Sequence, residues 1–304
     1  MKVLIIGLGS IAKKHIKALR RASVNEIFAL RSSRGSENYE GVINLYSFSE
    51  IKEQNFDFFL ISNITFKHAE AIKKLLPFKK PLFIEKPVFN EINEENNSLV
   101  AKINELQIPT YIGCSLRFLD CLQELKKHVT NKRINEVTIY SGSFLPDWRP
   151  HTNFRNTYSA NKEMGGGVHI DLIHELDYLF WIFGEPERTR SHFSSKSSLK
   201  INSVDYANYL WEYRDFNASI TLNYYRVESK RKIEVLTSDA TFETDLLLNK
   251  VYKNGEEIYS SDQRIPDTLF DQMDFFLDQI QNKKINDFNS INEAYKILKL
   301  CLEN

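Results

Sequence analysis

Three short stretches of this chain carry side chains whose types and spacing could do chemistry. The longest, Met164–Gly184, reads M-G-G-G-V-H-I-D-L-I-H-E-L-D-Y-L-F-W-I-F-G. Asp171 and His174 are three residues apart and would share one face of a helix. An imidazole titrates near neutral pH, which suits a group that must accept a proton. The glycines before it let backbone approach a ligand or turn sharply into a helix. Two other readings stand beside this one: a structural Asp171–His174 pair, and a metal cluster of His169, Asp171, His174 and Asp177. The five-residue step from His169 to His174 is not the i, i+4 pairing of a zinc helix, so no metal is expected.

The second stretch is E-K-P at Glu85–Pro87, closing the apolar run Pro81–Ile84. Ligands of open α/β sheets bind beyond the carboxyl ends of the strands. Lys86 is therefore placed to hydrogen-bond a substrate hydroxyl and stabilise a developing alkoxide, although a surface lysine at a strand end would look the same. The third is G-L-G-S-I-A at Gly7–Ala12, after the run K-V-L-I-I. Gly7 permits the tight turn, Gly9 lets the backbone reach a pyrophosphate, and Ala12 allows close helix–strand packing, with Ser10 and Ile11 opening the helix. Its position at the head of an alternating domain argues against a plain strand-to-helix turn. The second strand ends in Leu30, Arg31, Ser32, Ser33 and Arg34, with no acid before Glu37. Two arginines and no carboxylate favour the 2′-phosphate of NADP(H) over the ribose hydroxyls of NAD; a solvated polar turn, with NAD held elsewhere, is the alternative.

Elements that must position these groups follow from periodicity. Strands are predicted at Lys2–Ile6, Glu26–Leu30, Phe56–Ile61, Pro81–Ile84 and Thr110–Gly113. Helices are predicted at Ile11–Arg21, His68–Leu76 and Asn93–Leu106, an alternation that implies a doubly wound parallel sheet. After about Arg117 the pattern changes. A helix at Leu119–His128, a strand at Val137–Phe144 and an irregular segment lead to one helix beginning near Gly167. In that helix Leu172, Ile173, Leu176, Leu179, Phe180 and Phe183 form an apolar stripe, and Asp171, His174, Tyr178 and Trp181 fall opposite. Arg188–Ser260 alternates in polarity with turn signals such as Asn254-Gly255, as antiparallel sheet does. Helices at Thr268–Gln281 and Asn289–Leu302 close the chain. The expected architecture is α/β: a Rossmann domain over 1–117, then an α/β domain over 118–304 with a large, mostly antiparallel open sheet.

Composition limits the function. The 304 residues are 42% hydrophobic and 26% charged, an ordinary globular balance. Lys+Arg and Asp+Glu are equal at 40 each, so no overall basic field holds nucleic acid or an anionic membrane. Cys114, Cys121 and Cys301 are odd in number and widely spaced, reading as free thiols of a reducing compartment. No run approaches the roughly 20 apolar residues of a membrane span, nor is there a signal-peptide core. A cytoplasmic protein is expected.

Together these motifs resemble the glucose–fructose oxidoreductase and inositol dehydrogenase family (Gfo/Idh/MocA), over essentially the whole chain. The likeness rests on G-L-G-S-I-A with His15 downstream, on E-K-P, on G-C-S-L-R-F at Gly113–Phe118, and on G-G-G…D-x-x-H-E-x-D. It implies a Rossmann domain and a second domain whose open sheet faces substrate and forms the contact of a homodimer or homotetramer. It carries Lys86 and His174 to the catalytic lysine and histidine, with Asp171 as neighbouring acid. In this reading His174 takes the hydroxyl proton, Lys86 polarises the hydroxyl, and hydride passes to the nicotinamide. Glu85, Lys86, Ser62, Asn63 and His68 join the cofactor-binding set, and Trp148 and Arg149 lie near the nicotinamide. Two departures stand out: Ser62-Asn63-Ile64-Thr65 replaces the usual Thr-Pro, and the acid–histidine spacing is three rather than four. The segment L-P-D-W-R-P…Y-S-A-N-K-E-M-G-G-G is similar to members from bacterial surface-polysaccharide and nonulosonate pathways, which implies a sugar or nucleotide-activated sugar as substrate. Arg117, Tyr158 and Tyr225 are substrate contacts or structural residues. The competing class is a non-catalytic dinucleotide-binding sensor of the same fold, which would not need Lys86, Asp171 and His174 together; elimination or hydrolysis through a transient oxidation is a third option.

Overall fold

The computed structural model describes residues 1–34, 38–284 and 287–303. They fall into two compact units, Met1–Ser115 with Leu269–Leu298, and Leu116–Thr268 with Lys299–Asn304. In the first unit the chain forms β1 (Lys2–Ile6), α1 (Ser10–Arg21), β2 (Glu26–Leu30), β3 (Val42–Leu45) and α2 (Phe48–Lys52). It continues with β4 (Phe58–Ile61), α3 (His68–Leu75), β5 (Leu82–Ile84), α4 (Glu94–Glu105) and β6 (Thr110–Ile112). The sheet order is β3-β2-β1-β4-β5-β6, and every pairing is parallel. β4 and β5 are buried along their whole length and β1 from Val3 to Ile6, as continuous apolar runs covered on both faces must be. Strand order reverses at β1 and β4, which opens a crevice beyond their carboxyl ends. β3 and α2 are not visible in the sequence pattern: β3 is an edge strand in which Leu45 alone is buried.

The second unit contains α5 (Asp120–Val129), β7 (Ile134–Phe144), α6 (Val168–Asp171), α7 (His174–Phe183), β8 (Arg188–Ser194) and β9 (Tyr206–Glu212). β10 (Asn217–Asn223), β11 (Tyr225–Thr237), β12 (Thr241–Asp245), β13 (Lys250–Lys253) and β14 (Glu256–Ser260) complete its sheet. The order is β14-β13-β12-β11-β7-β10-β9-β8. β7 and β10 pair in parallel and the remaining pairs are antiparallel. β9 shows why one face is covered: Ala207, Tyr209 and Trp211 are buried while Leu210 between them is exposed, the period-2 alternation of a half-buried strand.

α8 (Thr268–Gln281) and α9 (Ile291–Leu302) close the chain. An uninterrupted second domain over 118–304 was the expectation, but Leu269–Leu298 belongs to the first unit. Aromatic packing accounts for this. Phe276 of α8 meets Phe58 at 5.2 Å and Phe83 at 5.4 Å, both edge-on, and the Asn289 carbonyl accepts the Ile112 N–H at 2.7 Å. Helical periodicity reports that α8 is amphipathic without naming the sheet it covers. The three cysteines are buried thiols. Among the described residues no helix is long and apolar enough to cross a membrane. Truncating Phe276, 2% exposed, to Ala is expected to cost about 3–5 kcal/mol in urea unfolding of the intact chain. A loss under about 1 kcal/mol would contradict its place in this core.

Candidate functional site

In the first unit β1 ends at Ile6 and the Gly7 N–H donates to the Leu30 carbonyl at 3.1 Å. Gly7 has φ +86°, and a Cβ there would stand 2.9 Å from Asn63 Cα, so this position needs glycine for both backbone and space. Gly9 caps α1, and a Cβ on it would meet nothing within 4 Å. No acid occupies the first turn of α1, leaving its N–H groups and dipole suited to an anion. Ala12 is fully buried, as the close helix–strand contact requires.

Beside this turn lies a cleft of about 750 Å³ whose lining includes Gly7, Gly9, Ser10, Ile11, Arg31, Ser32, Ser62 and Asn63. The turn geometry, the bare helix end and the concavity together fit a dinucleotide. Ser33, Arg34, His68, Glu85 and Lys86, expected in the same set, are not part of this lining. Arg31 Nη1 donates to Asn44 Oδ1 at 3.1 Å, and the Arg34 guanidinium sits 5.0 Å over the ring of Tyr46, itself a cleft residue. Glu37 lies outside the described residues. Tyr46, Ser47 and Phe48 also line the cleft, with Lys67 and Lys74. Sequence reasoning missed the first three because it did not resolve β3 and α2.

Glu85 and His68 act beneath the surface. Glu85 Oε1 lies 2.5 Å from His15 Nε2, and its Oε2 accepts the Lys86 N–H at 3.2 Å. The carboxylate thus ties α1 to the end of β5 and fixes the backbone that carries Lys86. Gly113 leaves room for it, since a Cβ there would come within 3.1 Å of Oε1. His68 is wholly buried. Its Nδ1 is 3.2 Å from the Val88 carbonyl and its Nε2 3.1 Å from the Asn63 carbonyl. Burial holds this imidazole below the usual histidine pKa. The expectation that His68 touches the nucleotide is therefore corrected: the ring has no exposed surface and braces the loop after β4.

In the second unit the expected single helix is two. α6 ends at Asp171, Leu172 departs from helical geometry, and α7 starts at His174. The shared-face argument for Asp171 and His174 fails across this break; they end one helix and begin the next. The glycine run makes the approach possible. Gly167 has φ +148°, and a Cβ on Gly166 would collide with the Tyr158 carbonyl. Asp171 Oδ2 accepts a hydrogen bond from the Tyr224 hydroxyl at 2.5 Å. Trp148 packs edge-on against Tyr224 at 5.4 Å and donates through Nε1 to Ser143 Oγ at 2.9 Å. Arg149 next to it is exposed, and Tyr158 is half-buried.

Two buried ion pairs hold α7. Glu175 meets Arg231, with Nε at 2.6 Å and Nη2 at 3.1 Å. Asp177 meets Arg117, with Nε at 2.9 Å and Nη2 at 2.7 Å. Arg117, considered as a substrate contact, is 1% exposed and grips Asp177 in a bidentate fork, which makes it an anchor. Tyr225 is 37% exposed, whereas its neighbour Tyr224 is 0% exposed and reaches Asp171. His169 stacks on Phe193 at 5.0 Å, and burial lowers its pKa to about 4. Among the described residues no three His, Cys, Asp or Glu groups are placed to hold a metal ion.

A parallel six-stranded unit with a phosphate turn, followed in the chain by an open eight-stranded α/β unit carrying an acid and an imidazole, is the architecture of a nicotinamide-dependent oxidoreductase. Residues 1–109 match the family model for the oxidoreductase family with NAD-binding Rossmann fold, and residues 122–243 match the GFO/IDH/MocA C-terminal domain. The chain belongs to the Gfo/Idh/MocA oxidoreductase family. It is similar to the uncharacterized oxidoreductase YrbE of Bacillus subtilis (strain 168), 25% identical over 189 residues, 59% of this chain and 53% of that one. It is also similar to myo-inositol 2-dehydrogenase of Thermotoga maritima, 24% identical over 193 residues, 61% of this chain and 55% of the relative. The aligned part thus spans little more than half the length of these curated relatives. Its fold is like that of myo-inositol 2-dehydrogenase from Lactobacillus plantarum, with TM-score 0.81 at 20% identity, covering 99% of this chain and 95% of that one. The WlbA dehydrogenase from Bordetella pertussis, solved with NADH and UDP-GlcNAcA, gives TM-score 0.80 at 16% identity over 99% and 94% of the two chains.

Replacing Arg117 by Ala strands the Asp177 carboxylate in the interior and is expected to cost about 3–5 kcal/mol in stability, measured by urea unfolding. Unchanged stability with a raised substrate KM would instead return Arg117 to the role of substrate contact.

Proposed function

We propose that this chain is a dehydrogenase or ketoreductase that interconverts a hydroxyl and a keto carbon on a sugar or nucleotide-activated sugar, with NADP(H) preferred over NAD(H). The observation that carries the reading is the presence in one chain of the Gly7–Gly9 cleft and of Asp171 and His174 at the α6–α7 break. Gly7, Gly9, Ser10 and Ile11 would hold the pyrophosphate through backbone N–H groups, and Ser62 and Asn63 border the same cleft. The NADP(H) preference rests on Arg31 and Ser32 in the lining and on Arg34 over Tyr46, because a guanidinium matches phosphate geometry. When bound, the nicotinamide supplies the two-electron redox chemistry.

The chain's own groups handle the proton and the oxygen. His174 takes the proton from the substrate hydroxyl in oxidation and returns it in reduction. The Lys86 ammonium donates a hydrogen bond to the same oxygen, stabilising its developing charge, while Glu85 holds the Lys86 backbone in place. Asp171 is the acid that accompanies His174; Trp148 and Arg149 would lie near the nicotinamide, and Tyr158 would border the substrate. Relatives named as myo-inositol 2-dehydrogenase, UDP-N-acetylglucosamine 3-dehydrogenase and the WlbA structure with UDP-GlcNAcA support a polyol or nucleotide-sugar substrate. By family resemblance the reading extends to a cytoplasmic homodimer or homotetramer assembled through the eight-stranded sheet, serving surface-polysaccharide synthesis.

The test is a panel of myo-inositol, UDP-N-acetylglucosamine and its uronic acid, each followed with both cofactors at the reduced-nicotinamide absorbance, alongside fluorescence titration with NADPH and NADH. Tighter NADPH binding is expected, and tighter NADH binding would overturn the preference. His174→Ala should lower turnover about 10²–10⁴-fold with NADPH affinity kept within about twofold. Wild-type rates in this variant would remove His174 from the mechanism, and a protein that binds neither dinucleotide would end the proposal.

A further inference from the structure

We propose that Tyr224 is the positioning residue of this site: its buried phenol clamps the Asp171 carboxylate by a hydrogen bond and so sets the acid that accompanies His174. The inference rests on reading Asp171 and His174 as the proton-handling groups.

Asp171 needs such a clamp. It is the last residue of α6, a helix of four residues, so its side chain stands at a helix end. The chain then breaks at Leu172 before α7 begins, so no helix continues beyond Asp171 to fix its side chain. Tyr224 reaches it from the junction between β10 and β11. The Tyr224 hydroxyl donates to Asp171 Oδ2 at 2.5 Å, the short distance of a charge-assisted O–H···O⁻ bond.

Tyr224 is itself held from several sides. Its N–H donates to the Asp205 carbonyl at 3.0 Å, and its own carbonyl accepts the Leu145 N–H at 2.8 Å. Trp148 meets the ring at an interplanar angle of 89°. The ring is sealed from solvent, so water does not compete for the bond. Burial and the Asp171 charge push the phenol's ionisation well above the ordinary tyrosine range. The group therefore stays a protonated donor throughout the working pH range. Neighbouring Tyr225 is exposed instead and opens the β11 ladder opposite Phe144.

Two readouts on the full chain test the clamp. In protein labelled with 3-fluorotyrosine, the fluorine resonance of Tyr224, one of 14 tyrosines, is assigned by its loss in Tyr224→Phe. The resonance is expected to move in Asp171→Asn. A resonance indifferent to that change would overturn the proposal without any substrate being needed. Kinetics supply the second readout, on the substrate found by the panel above. Tyr224→Phe keeps the ring and should lower kcat about 10- to 100-fold through misplacement of the acid. KM and NADPH affinity should stay within about twofold, and the unfolding midpoint close to wild type. A raised KM with unchanged kcat, or a kcat loss that only tracks lost stability, would make Tyr224 a structural residue. If wild type turns over no panel compound, the activity reading fails by itself and the fluorine spectrum still decides the clamp.

Discussion

A carboxylate removed from water must meet a cation or hydrogen-bond donors, and α7 carries two such carboxylates in its first turn. Glu175 is 0% and Asp177 2% exposed. Two residues apart on a helix, they point about 200° away from each other, so their partners must come from different directions. Arg231 arrives from β11 and Arg117 from the segment before α5. Desolvation costs several kcal/mol per ion, so the pairs are weak as net stabilisers. Their effect is geometric: rotating or sliding α7 would leave a naked charge in the interior. His174, one residue before Glu175, inherits that fixed position.

The first unit follows the same rule with different groups. Glu85 and His15, 70 residues apart in the chain, join the end of β5 to the helix that follows the phosphate turn. His68 spans from Asn63 to Val88 and holds the loop after β4. These links converge on the turn in which Gly7 must be glycine. Cleft residues therefore stand on backbone fixed by buried polar contacts of long sequence separation, which is the rigidity that a preformed binding site requires.

Legibility in the sequence tracked how local each feature is. β1, β4 and β5 were readable because strands buried on both faces appear as uninterrupted apolar runs, and the phosphate turn because its glycines answer to local geometry. The edge strand β3 and short α2 lack both signals. The break after Asp171 was hidden because Leu172 and Ile173 continue the apolar pattern of a helix while the backbone leaves it. Arg117 and Tyr225 show the limit for side chains. Composition marks Arg and Tyr as candidate contacts, but only the fold shows that Asp177 occupies the first and that Tyr224, one residue earlier, faces the acid. The membership of α8 in the first unit likewise depended on which aromatic rings it meets.

In the proposed reaction Lys86 and His174 serve one reacting oxygen. A double-mutant cycle on kcat with Lys86→Met and His174→Ala tests it most directly. Groups acting as a unit are non-additive, so the double variant is predicted to be about as slow as the slower single variant. Two losses that multiply would show the groups acting independently and would contradict a shared oxygen.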